Sequence, residues 1–190
     1  VDTVMVSGAD AINIDLGTGT NSATDALGSL PTFAGLDVTL NLSANQVEEI
    51  GLAAGNLAAA GIDHLNISLA DSGNAGYADD LAGLLGGANQ DALNALHNAG
   101  LDGTIDLGGS AITGTVNIDQ GQALTLIADG LHFASDDSIT LEFDAAQGTH
   151  LGTSLKELSK LGVDAVAVSG ADAINIDLGT GTGSATDGLG

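Results

Sequence analysis

The sequence predicts an α/β fold built from repeated strand–helix–strand units with mainly parallel pairing, one repeat domain plus the start of the next. Three observations lead there. Val1–Gly28 and Val163–Gly190 match at 24 of 28 positions, offset by 162 residues, and differ only at Thr3/Ala165, Met5/Ala167, Asn21/Gly183 and Ala26/Gly188. A match of that length marks a tandem period. A shorter phrase, glycine–aliphatic–aspartate, recurs at Gly35-Leu36-Asp37, Gly61-Ile62-Asp63, Gly100-Leu101-Asp102 and Gly162-Val163-Asp164. Residues that alternate with period two follow it, and Ala11–Leu16 alternates in the same way, with Ile12, Ile14 and Leu16 on one face and Asn13 and Asp15 on the other.

Taken in order, alternation places strands near 3–6, 11–16, 37–42, 63–69, 103–107, 112–119, 138–143, 164–168 and 173–178. Ala/Leu-rich stretches place helices near 44–60, 79–98, 121–134 and 152–161. Ser43 is the expected N-cap of the first helix, and Glu48 and Glu49 suit the positive end of its dipole. The glycines of the last three phrases each follow a helical stretch, so they read as left-handed stops onto which the next aliphatic residue folds back. Tight strand–helix–strand connections favour right-handed crossovers and parallel pairing. Two halves of the period also look related, with VTLNLS and HLNISLAD set against GTVNID and SITLEFD.

Gly17–Gly35, rich in Gly, Ser and Thr and holding the only proline, Pro31, reads as a linker. The α/β repeat domain is then expected over 36–178. Residues 1–16 would be terminal strands of the preceding repeat and 179–190 the start of the next linker. Because Val1 opens in mid-pattern, the chain is expected to be an excised piece of a longer protein, with any export signal elsewhere.

Charge narrows the partners. The chain carries 25 acids against two bases, a net charge of −23. Nucleic acid and anionic membranes would repel it, because binding phosphate needs clustered Lys or Arg. A medium rich in salt or divalent cations suits such a chain better than cytosol. With no cysteine there are no disulfides or thiolate sites, and there is no apolar run long enough for a membrane span.

Among candidate sites, the acids at the period junction come first. Ser7-Gly8-Ala9-Asp10-Ala11-Ile12 and its copy Ser169–Ile174 match the back half of the calcium-binding nonapeptide, without its front half. Asp10, Asp15 and Asp25, with Asp172, Asp177 and Asp187, are the candidate metal ligands, since Ca²⁺ takes six to eight oxygens that such acids and nearby carbonyls supply. The bland alternative is that they are turn formers on a solvated face. Asp71–Asn74 lacks the EF-hand spacing, Asp79 reads as a helix cap, and Asp136-Asp137 reads as a turn. His64, His97, His132 and His150 are scattered without zinc spacing, and His97 suits a helix C-terminus.

Catalytic patterns are missing: there is no G-x-S-x-G, no cysteine nucleophile, and Gly17-Thr18-Gly19-Thr20 lacks the lysine of a phosphate loop. Phe33, Tyr77, Phe133 and Phe143 are too few aromatics for a sugar-cleaving cleft. The expectation is a protein without enzymatic activity.

LSKLGVDAVAVSGADAINIDLG and NLAAAGIDHLNISLAD resemble the Ala/Leu/Asp-rich tandem repeats of giant RTX-type bacterial surface adhesins and S-layer-like repeat proteins. That resemblance implies secretion to the cell surface, many copies in a row, attachment or biofilm cohesion, and Ca²⁺ that stiffens the array. The function expected is a structural or adhesive repeat module. Its partners would be neighbouring repeats of the same chain and, by self-association, other copies. The alternative is a subunit module that assembles into a filament or surface layer.

Overall fold

Each helix of the recurring phrase stops at a glycine in the left-handed conformation. At Gly61, Gly100 and Gly162 φ is +87°, +87° and +89°, where an L side chain costs ~1–2 kcal/mol. Each glycine N–H donates to the carbonyl three residues back, on Ala58, His97 and Ser159. The aliphatic residue after it donates to the carbonyl five back, on Leu57, Leu96 and Leu158. This bond pair closes a helix as a Schellman motif. Ile62 and Leu101 then turn into the core, at 3% and 2% exposure.

The structure is a computed structural model that describes residues 11–15, 32–33, 35–69, 77–108, 116–144 and 155–169. Its elements run β1 (Ala11–Asp15), β2 (Asp37–Ser43), a 3₁₀ turn (Ala44–Gln46), α1 (Val47–Gly51), α2 (Ala54–Ala60), β3 (His64–Ser68), α3 (Tyr77–Leu84) and α4 (Gly87–Asn98). They continue through β4 (Asp102–Asp106), β5 (Val116–Asp119), α5 (Gln120–Ala128), β6 (Leu131–Phe133), β7 (Ile139–Asp144), α6 (Leu155–Leu161) and β8 (Ala165–Ser169). The expected strands near 3–6 and 173–178 lie outside the described residues.

The α/β class with parallel pairing is what the structure shows. Among the described residues five strands form one sheet in the order β1-β2-β3-β4-β6, three form another in the order β5-β7-β8, and each of these strand pairings is parallel. Strands join the first sheet in chain order, so right-handed crossovers return on one side of it. Burial agrees with this. Val38, Leu40, Leu42, Leu65, Ile67, Ile105 and Phe133 are at most 4% exposed, while the alternate residues of the same strands are polar and half-buried or exposed. Parallel sheets are usually covered on both faces and read as continuous apolar runs; here the strands alternate because one face is open. A single cluster of buried apolar residues joins both sheets, from Val38 and Leu40 of the first to Ile139 and Leu141 of the second.

Three expected helices differ from what forms. The 44–60 stretch breaks at Leu52-Ala53, and the second half brings Ala54 and Leu57 onto the core. α1 meets α4 where Gly51 lies against Ala92 so closely that a Cβ on Gly51 would overlap the Ala92 methyl. The 79–98 stretch breaks at Leu85-Gly86. The 121–134 stretch ends at Ala128, because Gly130 takes φ +67° and Leu131–Phe133 leave as β6 to pair with β4. The apolar run looked helical, but pairing with Gly103–Ile105 outweighs propensity.

The second sheet repeats the first three strands of the first. Ile12 faces Val38 in β1–β2, and Val116 faces Ile139 in β5–β7. Thr39 faces His64 in β2–β3, and Thr140 faces Ala165 in β7–β8. A side-chain clamp repeats with them. Val38 N–H donates to Asp63 Oδ2 at 3.0 Å, and Ile139 N–H donates to Asp164 Oδ2 at 2.8 Å. The aspartate N–H returns a bond to Val38 O in one case and Ile139 O in the other, both at 2.9 Å. The internal match is therefore AINID with VNID, DVTLNLS with ITLEFD and HLNIS with AVAVS, one strand out of step with the alignment expected from pattern alone. Register decides it: pattern cannot tell which alternating strand lies beside which.

Candidate functional site

The open face of the larger sheet gathers polar side chains into rows, because parallel strands in register place every second residue side by side. One row runs Asn41, Asn66, Thr104, His132, and the row before it Thr39, His64, Asp102. Asn66 Nδ2 donates to Asn41 Oδ1 at 3.2 Å, and Thr104 Oγ1 shares a hydrogen bond of 3.0 Å with His132 Nε2. At the margin His64 Nε2 lies 3.5 Å from Asp37 Oδ1, and His97 Nδ1 lies 3.7 Å from Asp102 Oδ1. Thr39, Asn41, His64, Asn66, Thr104 and His132 line a shallow depression of about 510 Å³.

Amides, a hydroxyl and imidazoles make this a hydrogen-bonding surface. Thr104 and His132 stand at a distance that suits a nucleophile and its base, and no hydrogen bond from a third group to His132 Nδ1 is present among the described residues. What the pair does is tie β4 to β6. The Asn41–Asn66 bond ties β2 to β3 in the same way. Sequence reasoning did not single out this ladder. Its trace was the Asn before Leu42 and Ile67, but only the register brings the two asparagines together.

Two acids are buried away from this row, Asp129 against α4 and Asp137 in the loop after β6. Asp129 is 1% exposed and accepts from Gln90 Nε2 at 2.6 Å. Burial pushes its carboxyl above the ordinary carboxylate value, against the smaller opposing effects of the Gln90 bond and nearby His97. Its Oδ1 and Gln90 Oε1 have no hydrogen-bond partner. Asp137, in the expected turn, is 9% exposed and accepts from Leu107 N–H at 3.2 Å. Burial raises its pKa, the Leu107 bond opposes this, and the Asp106 and Asp136 carboxylates add to the rise.

Of the six candidate metal ligands, Asp10, Asp25, Asp172, Asp177 and Asp187 lie outside the described residues. Asp15 ends β1 opposite Asn41, with its side chain also outside the description. Asp71–Asn74 and His150 lie outside as well, as does the side chain of Asp79. Among the described residues no group of three or more His, Asp or Glu is placed to hold a metal ion, and no helix is long and apolar enough to cross a membrane.

His97, expected at a helix C-terminus, lies in the last turn of α4. On α6, Lys160 pairs with Glu157 at 3.1 Å. Ser43 precedes the 3₁₀ turn, its N–H donating to Gln46 Oε1 at 2.9 Å. The fuller cap is Asp119: its Oδ1 accepts from Gln122 N–H at 2.8 Å, while its own N–H donates to Gln122 Oε1 at 2.9 Å, a reciprocal box that starts α5.

No family model matches the chain, and no curated protein or solved structure matches it.

Proposed function

We propose that the chain is a structural or adhesive repeat module of a large secreted bacterial cell-surface protein, one that extends or stiffens a stalk for attachment or biofilm cohesion. The observation that carries this reading is self-similarity at two scales. The 28-residue segment recurs after 162 residues. Within one period, β5-β7-β8 repeats β1-β2-β3 down to the aspartate clamp. A unit whose second sheet restates its first adds length by adding copies, which is the logic of a solenoid. The polar ladder supports an adhesive role, since an open sheet face offers donors and acceptors on a rigid frame. Ca²⁺ at the junction acids belongs to the proposal as the stiffening agent.

Small-angle scattering on chains of one, two and three periods tests it. The longest dimension should grow by roughly 40 Å per period, the diameter expected of a compact unit of about 160 residues. Growth that levels off after the first period, as in a collapsed cluster of modules, sinks the reading.

A further inference from the structure

We propose that Asp129 is a proton-operated latch between α4 and the corner where α5 hands over to β6. With a proton on its carboxyl it closes a pair of hydrogen bonds with Gln90, and without that proton the pair opens. The proposal goes beyond the repeat reading and stands apart from it.

It starts from an incomplete set of hydrogen bonds. Asp129 caps the C-terminus of α5 and is 1% exposed. Its Oδ2 accepts from Gln90 Nε2 of α4 at 2.6 Å, a link across 39 residues of chain. Oδ1 of the acid and Oε1 of the amide are both buried without a partner. Both are acceptors, so in the ionised state neither can serve the other, and a buried polar atom left unpaired costs about 1–3 kcal/mol. One proton answers both. On Oδ1 it turns that atom into a donor, and Gln90 Oε1, on the group already bound to the acid, is the acceptor that lacks one. Carboxylic acid and carboxamide then exchange two hydrogen bonds in place of one.

The surroundings favour that proton. Burial is the largest influence on Asp129 and disfavours its charged form, against the smaller opposing effects of the Gln90 bond and His97. His97 lies in the last turn of α4, and its Nδ1 stands 3.7 Å from Asp102 Oδ1, so a second carboxylate competes for it. Asp91, beside Gln90 on α4, is exposed, as is Lys156 of α6, while Lys160 of α6 pairs with Glu157 at 3.1 Å. The latch is therefore fully closed below the ordinary carboxylate value and opens as pH rises through the folded-state value.

Its position gives it leverage. Gly130, the next residue, takes φ +67°, and its carbonyl accepts from Gly103 N–H at 3.2 Å, at the start of the β4–β6 pairing. β6 is three residues long, so the corner before it governs how firmly that strand stays on the sheet.

Nuclear magnetic resonance on the full chain between about pH 3 and 8 tests the latch. The Asp129 carboxyl carbon, identified by its loss in Asp129→Asn, should titrate above the ordinary carboxylate value. The Gln90 amide carbon should shift at the same midpoint. The Gly103 amide, corrected for the intrinsic exchange rate, should exchange at least about tenfold faster above that midpoint than below it. In Asp129→Asn an amide N–H stands where the acid proton does, so the Gln90 and Gly103 steps should both vanish. A carboxyl that titrates at the ordinary value, a Gln90 carbon indifferent to it, or Gly103 exchange without a step overturns the proposal. Steps that persist in Asp129→Asn assign the response to His97 or Asp102 and overturn it too. If that variant fails to fold, Gln90→Met, which removes the accepting oxygen, decides: the Gly103 step must disappear there.

Discussion

Replacing Asp63 by alanine isolates the clamp that sets each new strand against the last. The carboxylate accepts from Val38 N–H at 3.0 Å, and Val38 is fully buried. A hydrogen bond to a charged acceptor contributes about 1.5–3 kcal/mol net. Asp63 itself is exposed, so water recovers part of the loss, and the cost should be about 1.5 kcal/mol. With a urea slope of roughly 2 kcal/mol per molar, the unfolding midpoint falls by roughly 0.7 M. Asp63→Asn keeps an acceptor oxygen and should cost less than about 0.5 kcal/mol. Asp164→Ala, which removes the equivalent 2.8 Å bond to Ile139, should match Asp63→Ala. Asp102 belongs to the same sequence phrase and faces His64 in the register in which Asp63 faces Val38, but its carboxylate lies 64% exposed near His97 rather than accepting from the facing N–H. Asp102→Ala should therefore fall within about 0.5 kcal/mol of the parent, as ordinary surface substitutions do. Urea melts of the four variants compare these values directly. If Asp63→Ala and Asp102→Ala unfold alike, the clamp is not what the geometry says it is.

The helix stops give a second contrast: Gly61→Ala and Gly100→Ala both meet φ +87°, but only at Gly61 would the new Cβ come within 2.5 Å of Phe33 O, so Gly61→Ala should melt lower, by at least about 1 kcal/mol. Asp129 and Asp137 are both raised above 3.8, so they favour the fold fully below that pH and the contribution is lost as pH rises through their folded-state values. Asp129→Asn supplies a donor for the unpartnered Gln90 Oε1 and should stabilise by about 1 kcal/mol at neutral pH, with less gain in acid; a variant destabilised at neutral pH refutes this. Millimolar Ca²⁺ should raise the melting midpoint by the linkage relation, and combined Asp→Asn changes at positions 10, 15 and 25 should remove the shift; an unchanged midpoint in the parent rules out a useful site.

The sequence by itself determined the α/β class, the parallel habit, and the glycine stops at Gly61, Gly100 and Gly162, because these depend on chirality and periodicity within a few residues. It also showed the 162-residue period, which is a property of the text. The tertiary structure alone decided what depends on neighbours 25 or more residues away: the division into two sheets, and the escape of Leu131–Phe133 from an apparent helix into β6. Only there do Asp63 and Asp164 become clamps while Asp102 does not, and only there do Asn41, Asn66, Thr104 and His132 fall into one row. A strand's alternation says which residues share a face. The partner and its register are chosen by whichever pairing buries the apolar face most completely, and that choice belongs to the whole chain.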